Sequence, residues 1–461
     1  MTAKVKPRDK GAGGRSGILN PKPDRADAGK PLGSIDAKYI DVLDGIRAIS
    51  VIIVLIFHFW QQTWIFPTVQ TPFLSFIGLK QIDFTPIAKV GYLFVDMMVL
   101  MSGFLLFLPL MRLVVMGEPI SSWKEYARRR VARILPSYLF AVLLIFFLFA
   151  LPQHSYSNTG DAIRDLVTHL TFTQTLFVKT YIGTKCDVVL WTVAIEVWFY
   201  VLFPLIATII RPSKKLESRR AKTVSYIIIA AVFIIFHLIS IWWEHTYVRR
   251  PGIYVSMYIN QLPAFMGAYA NGMLASLIFV LIARYFRRSW VLALVGTVLS
   301  VLSIVYIVSM VNECAKLQAA DAQFWQVSER ARLTAAFSIF ILSTALAAKW
   351  YRFIFSNPLM RFLAGISYNL YIWHQWLAVQ IKYEWRIPAW EGTTPPNQSF
   401  DRPWMNSYAL IITVAAFAAA ILATYLIEKP FANLILGRPM FQRGSKKGLN
   451  NPKTVKPGKR K

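Results

Sequence analysis

The sequence predicts an all-α, polytopic integral membrane protein of about ten transmembrane helices with both termini cytoplasmic. Three observations predict it: an apolar composition, apolar runs that recur at membrane-spanning length, and loop charge that alternates along the chain. Of the 461 residues, 56% are hydrophobic and 16% charged, against roughly 45–50% apolar and about 25% charged in soluble globular chains. The apolar runs are near twenty residues long, enough to cross the ~30 Å hydrocarbon layer. They must be helices, because an open strand in lipid leaves its edge backbone groups unpaired.

The predicted spans are, in order, 46–66, 87–110, 134–152, 188–210, 223–243, 257–283, 289–311, 333–348, 362–384 and 405–427. With the N-terminus in the cytoplasm, 111–133, 211–222, 284–288 and 349–361 become inner loops. Those loops carry 18 Lys and Arg against Glu118, Glu125 and Glu217, whereas the outer loops carry 11 basic and 10 acidic residues. This is the positive-inside pattern. It accounts for the net charge of +28 as topology and anionic-lipid contact, not as a nucleic-acid footprint.

Residues 1–38 are polar, basic and rich in Gly and Pro, without the apolar core of a cleavable leader. They read as a disordered cytoplasmic tail, as do residues 438–461, and with 432–461 taken as a basic cytoplasmic tail the transmembrane domain is 39–431. No soluble catalytic domain, internal repeat or Gly-rich phosphate loop is legible, so any chemistry has to be built from helices and short loops. The outer loop 153–187, with Gln153, His154, Asn158, Asp161 and Asp165, and the Trp- and Pro-rich loop 385–404 are acceptor contacts or solvated covers. Cys186 and Cys314 both fall in predicted outer loops and could pair in an oxidising compartment, although sequence does not place their Cα atoms. No Cys/His spacing of a zinc site occurs, and no metal is expected.

On the inner side, Ser122 and Glu125 form a capping-box pattern. A short helix there would present Arg128, Arg129, Arg130 and Arg133 to the membrane surface, with Pro136 in the first turn of the next span.

Polar residues at hydrocarbon depth are costly and need partners or a task. Arg47 and His58 are eleven residues apart, close to three helical turns, so they share a face roughly 16 Å apart along the axis. Ser50 and Gln61 fall near the same stripe. The plain alternative is an interfacial Arg and a His bonded to a neighbouring helix. Thr192, Glu196 and Tyr200, after Trp191, also share a face. A carboxylate among Ile, Val and Phe there calls for a cation or imidazole, either as a site or as an ion pair between helices. Ser367, Tyr371 and His374 stand at i, i+4 and i+7, consistent with a site or with packing. Asp96 precedes Ser102-Gly103 and suits a structural pair, with Gly103 permitting close helix contact. His237 reads as a satisfied packing residue.

Taken together, these blocks resemble the acyltransferase 3 family. Asp44-Gly45-Ile46-Arg47 leading to His58 matches its Arg, ten residues, His signature. Val95-Asp96 through Ser102-Gly103-Phe104-Leu105 is similar to its second-helix block, and Arg130-Val131-Ala132-Arg133-Ile134-Leu135-Pro136 to its Arg-x-x-Arg-Ile-Leu-Pro. Trp191 to Glu196 resembles Trp-Ser-Leu-Ala-Val-Glu, Ser367 to His374 resembles Ser-Tyr-Ser-Leu-Tyr-Leu-Trp-His, and Glu428-Lys429-Pro430 closes the last span. Departures are Val197, where the family often has a second acid, and Gln375, which interrupts Trp-His-Trp-Pro. Unlike the longer members of the family, this chain is expected to work without an appended hydrolase-like domain.

The resemblance implies a multi-pass protein of a bacterial cytoplasmic membrane that moves an acyl group, usually acetyl, from cytoplasmic acyl-CoA to an extracytoplasmic glycan or glycoside hydroxyl. Arg47, Arg130 and Arg133 would hold CoA phosphates. His58 would be general base or transient acyl carrier, and Glu196 would hold its tautomer as a triad carboxylate does. Asp96, Ser102, Trp191, Tyr371 and His374 would support the site. A polysaccharide exporter or proton-coupled transporter is the main rival, since intramembrane His and Glu also serve proton relays; an inactive scaffold is the other. The acceptor, the acyl chain and the oligomeric state are not encoded in any feature of the sequence.

Overall fold

The computed structural model describes residues 41–77, 80–211, 219–249, 255–287 and 289–440. The first predicted tail, most of the second and most of the inner loop 211–222 lie outside them. Sixteen α-helices follow along the described residues: α1 Asp41–Thr63, α2 Thr85–Val90, α3 Phe94–Met116, α4 Trp123–Ile145, α5 Thr159–Leu170, α6 Val178–Tyr181, α7 Trp191–Ile210, α8 Arg219–Trp243, α9 Val255–Ile259, α10 Leu262–Tyr285, α11 Trp290–Ala315, α12 Ala319–Leu346, α13 Lys349–Ser356, α14 Pro358–Val379, α15 Arg402–Ala423 and α16 Lys429–Ile435. The two-stranded antiparallel ribbon β1 Thr68–Gln70 and β2 Gln81–Asp83 follows α1. α16 extends the last helix into residues expected to be tail.

Among the described residues, eight helices are long and apolar enough to cross a membrane: 42–63, 85–116, 123–150, 188–210, 220–248, 255–285, 290–315 and 402–435. A ninth is counted if α12 and the α13–α14 segment, bent by 116° to one another, are taken together. Against the ten or so spans expected, eight or nine thus meet the length and composition of a crossing, and the difference falls at 333–348 and 362–384, both of them helical. The cause is composition. α12 starts earlier than expected and carries Asp321, Glu329, Arg330 and Arg332, while α14 replaces aliphatic residues with Ser367, Asn369, Tyr371 and His374, all four buried.

A correction concerns residues 121–133. Ser122 Oγ accepts from the Glu125 amide at 3.3 Å, the cap expected, but α4 then runs unbroken to Ile145. Pro136 sits inside this helix rather than in its first turn. Its missing N–H leaves the Ala132 carbonyl without its ladder partner, and two residues on, the Tyr368 hydroxyl of α14 donates to the Ile134 carbonyl at 3.2 Å.

α1 packs between α3 and α14, α3 packs on α10, α11 on α12, and α14 on α15. α8 and α11 lie at the rim, with Ile234, Leu238 and Trp242, and Leu294, Leu302 and Val305, more than two-fifths exposed. Such surfaces suit lipid, where helix association depends on close packing rather than on burial from water. Close packing is tightest around α1. A Cβ at Gly45 would collide with the main chain of Phe355 in α13, and one at Gly91 would lie 2.7 Å from the Ile53 carbonyl.

Chain ends sort into two faces. The basic face holds the starts of α1, α4 and α11, with α13 and α16, tied by Arg128 donating to the Ile435 carbonyl at 2.6 Å. The loop face holds the ribbon, α5, α6 and residues 385–401. It is tied by Lys382 Nζ donating to the Gln62 carbonyl at 2.8 Å and by Gln153 donating to Gln380 at 3.3 Å.

Candidate active site

The polar stripe of α1 opens into two cavities. The larger, about 650 Å³, lies toward the loop face and is lined by His58, Trp60, Gln61, Lys89, Tyr92 and Trp191 among others. The smaller, about 120 Å³, lies toward the basic face and is lined by Arg47, Arg130, Arg133, Glu196 and Ser102 among others. Val95 and Tyr371 line both, so the two volumes are separated by a wall about one side chain thick at that level. The structure therefore divides Arg47 from His58 along the helix, as their spacing required.

In the larger cavity His58 Nδ1 lies 2.8 Å from His374 Nε2, with ring centroids 4.9 Å apart. His374 Nδ1 lies 2.8 Å from the Tyr371 carbonyl and 3.1 Å from that of Leu370. His374 itself is 1% exposed. The residues named from the α14 pattern thus meet α1 directly.

Glu196 does not do what the sequence reading gave it. Its Oε1 accepts from Ser102 Oγ at 2.7 Å and from the Tyr200 hydroxyl in a very short contact, and it lines the smaller cavity. The partner of His58 is His374, not Glu196. The helical spacing placed Thr192, Glu196 and Tyr200 on one face correctly, but that face of α7 meets α3 toward the basic side. Thr192 hydrogen-bonds to Tyr371, which links α7 to the shared wall.

The three arginines of the smaller cavity are held in different ways. Arg133 pairs with Glu428 at 3.0 Å, and Glu428 in turn accepts from Asn369 Nδ2 at 2.7 Å. Arg130 lies over the rings of Tyr126 and Tyr200 at 5.6 and 5.2 Å. Arg47 stands 3.9 Å from Asp44. Guanidinium groups so placed can fork onto phosphate or carboxylate.

Asp96 forms the structural pair expected, with Arg330 Nε 3.2 Å away. Arg330 was missed because it was assigned to a loop; with α12 starting at Ala319 it lies three turns inside a helix. Trp191 lines the larger cavity, and its ring stands 6.0 Å from that of Phe265. His237 has a partner, Asn271 Oδ1, at 3.3 Å. Cys186 and Cys314 are both free and buried, and Cys314 lies near the Tyr92 hydroxyl at 3.7 Å.

One constellation escaped the sequence reading. Asp165, His169 and Cys186 bring a carboxylate, an imidazole and a thiol within 4.8 Å of one another, a donor set of metal-ligand type. Asp165 Oδ2 already accepts from Tyr156, from Thr184 and from the Lys185 amide at 2.9, 3.1 and 2.9 Å. Burial would raise the Asp165 carboxyl, but the hydrogen bond and charge of His169, with those donors, hold it below its ordinary value. Burial pushes the Cys186 thiol up. The arrangement ties the loop 153–187 together. The i, i+4 spacing of Asp165 and His169 was the available signal.

A family model described as an acyltransferase domain matches residues 40–429. No curated protein and no solved structure gives a significant match. The matched region contains both cavities and every helix that lines them.

Proposed function

The chain belongs to the acyltransferase 3 family, and from that premise we propose that it moves an acyl group, acetyl in the simplest case, from acyl-CoA to a hydroxyl of a carbohydrate. As a multi-pass membrane acyltransferase it has to bring a charged donor and a polar acceptor together across a hydrophobic layer. The observation that carries this reading is the division of α1 between two cavities, arginines in one and His58 in the other.

The basic face is assigned to the cytoplasm by its Lys and Arg excess, the side on which an acyl-CoA would be met, and a bacterial cytoplasmic membrane fits that orientation. Arg47, Arg130 and Arg133 supply forked donors for the phosphates of the nucleotide end. A cavity of about 120 Å³ admits only the narrow acyl-bearing arm of such a donor. The nucleotide then rests at the surface beside Arg130 and Arg133, both partly exposed. The larger cavity offers the flat faces of Trp60 and Trp191 and the amides of Gln61 and Asn260, a lining suited to a sugar ring and its hydroxyls.

In the transfer, the His58 imidazole takes the proton of the acceptor hydroxyl as its oxygen attacks the thioester carbonyl. The new C–O bond forms, the C–S bond breaks, and the proton passes to the departing thiolate. A relay through an acyl-imidazole gives the same balance in two displacements. In either route the arm passes Val95 and Tyr371, the residues common to both cavities. Glu196, with Ser102 and Tyr200, shapes the donor side.

The test is transfer from radiolabelled acetyl-CoA in membrane vesicles holding the wild type or His58→Ala. Label entering the glycan or protein fraction with the wild type alone supports the reading. Label that survives His58→Ala removes His58 from the chemistry. No labelling by folded wild type removes CoA as donor, and export becomes the reading to pursue.

A further inference from the structure

The two histidines are wired in one direction, and the wiring fixes which nitrogen of His58 does chemistry. We propose that His374 is a positioning residue that holds His58 as its Nδ1–H tautomer and so presents Nε2 as the lone-pair nitrogen to the larger cavity. This rests on the acyl-transfer reading for its purpose, though not for its geometry.

The argument starts at the main chain. His374 Nδ1 is 2.8 Å from the Tyr371 carbonyl and 3.1 Å from that of Leu370, and a carbonyl only accepts, so this nitrogen carries a proton. In a neutral ring the other nitrogen is then bare, and His374 Nε2 is the acceptor of the 2.8 Å contact with His58. His58 Nδ1 must donate. Its ring also has a main-chain contact with Val54, one turn back on α1, and it lines the larger cavity; with the proton on Nδ1, Nε2 is the bare nitrogen.

The reverse direction needs His374 as an imidazolium. That would bury a cation among the rings of Phe59 and Tyr371 with no carboxylate paired to either histidine among the described residues, which is costly at this depth. The chain of main-chain carbonyl, His374 and His58 therefore replaces the carboxylate of a triad: it selects the tautomer and the ring plane. A neutral imidazole stabilises the imidazolium formed on His58 less than a carboxylate does. The imidazolium on His58 is therefore short-lived, its Nε2 proton passing on to the departing thiolate.

The experiment has two arms. In the first, ¹⁵N-histidine-labelled full-length protein in lipid is examined by NMR, with His58→Gln used to assign the signals. His58 in the Nδ1–H form supports the proposal, and His58 in the Nε2–H form overturns it. In the second, acetyl transfer is compared for wild type, His374→Phe and His374→Gln. Phe keeps the ring volume but has no acceptor, so kcat falls on the order of 10²-fold with donor KM little changed. Gln can accept from Nδ1–H through Oε1 and restores about tenfold of that loss. His374→Phe with kcat near wild type, in protein that elutes and melts as wild type, overturns the proposal. A wild type that shows the Nδ1–H form yet does not use acetyl-CoA supports the wiring and defeats the donor assignment alone.

Discussion

Asp96 and Glu196 are both carboxylates inside the bundle with guanidinium groups near them, and the structure treats them in opposite ways. Asp96 is fully buried against Arg330 at 3.2 Å. Arg330 spends a further nitrogen on the Ile259 and Ala264 carbonyls at 3.3 and 3.0 Å and lies over the Phe265 ring at 4.0 Å. Neither residue lines either of the two cavities described above. Glu196 lines the smaller cavity beside Arg47, Arg130 and Arg133 but receives Ser102 and Tyr200 as hydrogen-bond donors. The first grouping balances its charge within the protein. In the second, Arg133 is paired with Glu428 and Arg47 stands near Asp44, but Arg130 is held by the rings of Tyr126 and Tyr200 rather than by a carboxylate, which leaves a guanidinium at the cavity wall to draw in an anion. A buried charge alone is thus a poor mark of a site; a buried cluster with charge left over beside a cavity is a better one.

Breaking the closed pair should have the largest effect. Arg330→Ala strands the Asp96 charge and should cost about 3–5 kcal/mol, read as a large drop in thermal midpoint in detergent. A midpoint within a few degrees of wild type would mean that the pair is not what joins α3 to α12. The open cluster should respond differently. Arg130→Ala should leave the midpoint near wild type but remove about 1.5–3 kcal/mol of donor binding, seen as a tenfold to hundredfold rise in donor KM.

Asp165 extends the comparison to a carboxylate held by an imidazole, His169 at 3.2 Å, together with hydroxyl and amide donors. Its folded value is depressed, so its contribution is whole above the ordinary carboxylate range near pH ~4 and is lost as pH falls through the folded value. Protease nicking of residues 153–187 should therefore rise in acid before the bundle unfolds. Asp165→Ala should make that loop labile at neutral pH, by about 1–3 kcal/mol. The smallest effect belongs to Arg332, two positions from Arg330, whose partners Glu313 and Glu329 are themselves partly exposed. Arg332→Ala should cost less than ~1 kcal/mol, and the contrast between these neighbours separates burial from charge as the cause.

Most of the fold was legible because a spanning helix is a local property. α1, α3, α7, α8, α11 and α15 each announce themselves within one apolar run. α12 and α14 did not, because helices that line an interior carry the polar residues that hydropathy reads as loop. The site divides in the same way. Arg47 and His58 share a stripe by helical period alone. The contact from His58 to His374 spans 316 positions and depends on how α14 docks against α1, which no local pattern encodes. The same gap sent Glu196 to the wrong partner: its face was right and its depth was not.

On the acyl-CoA reading proposed above, the glycine contacts that grip α1 bear on which donors can react. With Gly45 against the Phe355 main chain, Gly91 against the Ile53 carbonyl and Lys382 on the Gln62 carbonyl, α1 has little room to slide or turn. The distance between its guanidinium and its imidazole, roughly 16 Å of helix, is then a fixed gauge. A donor whose reactive carbon sits one or two bonds nearer its phosphates would stop short of His58, and one with a longer arm would have to buckle. Reach, set by eleven residues of a single helix, becomes a selection rule that acts before any contact with the acyl group itself.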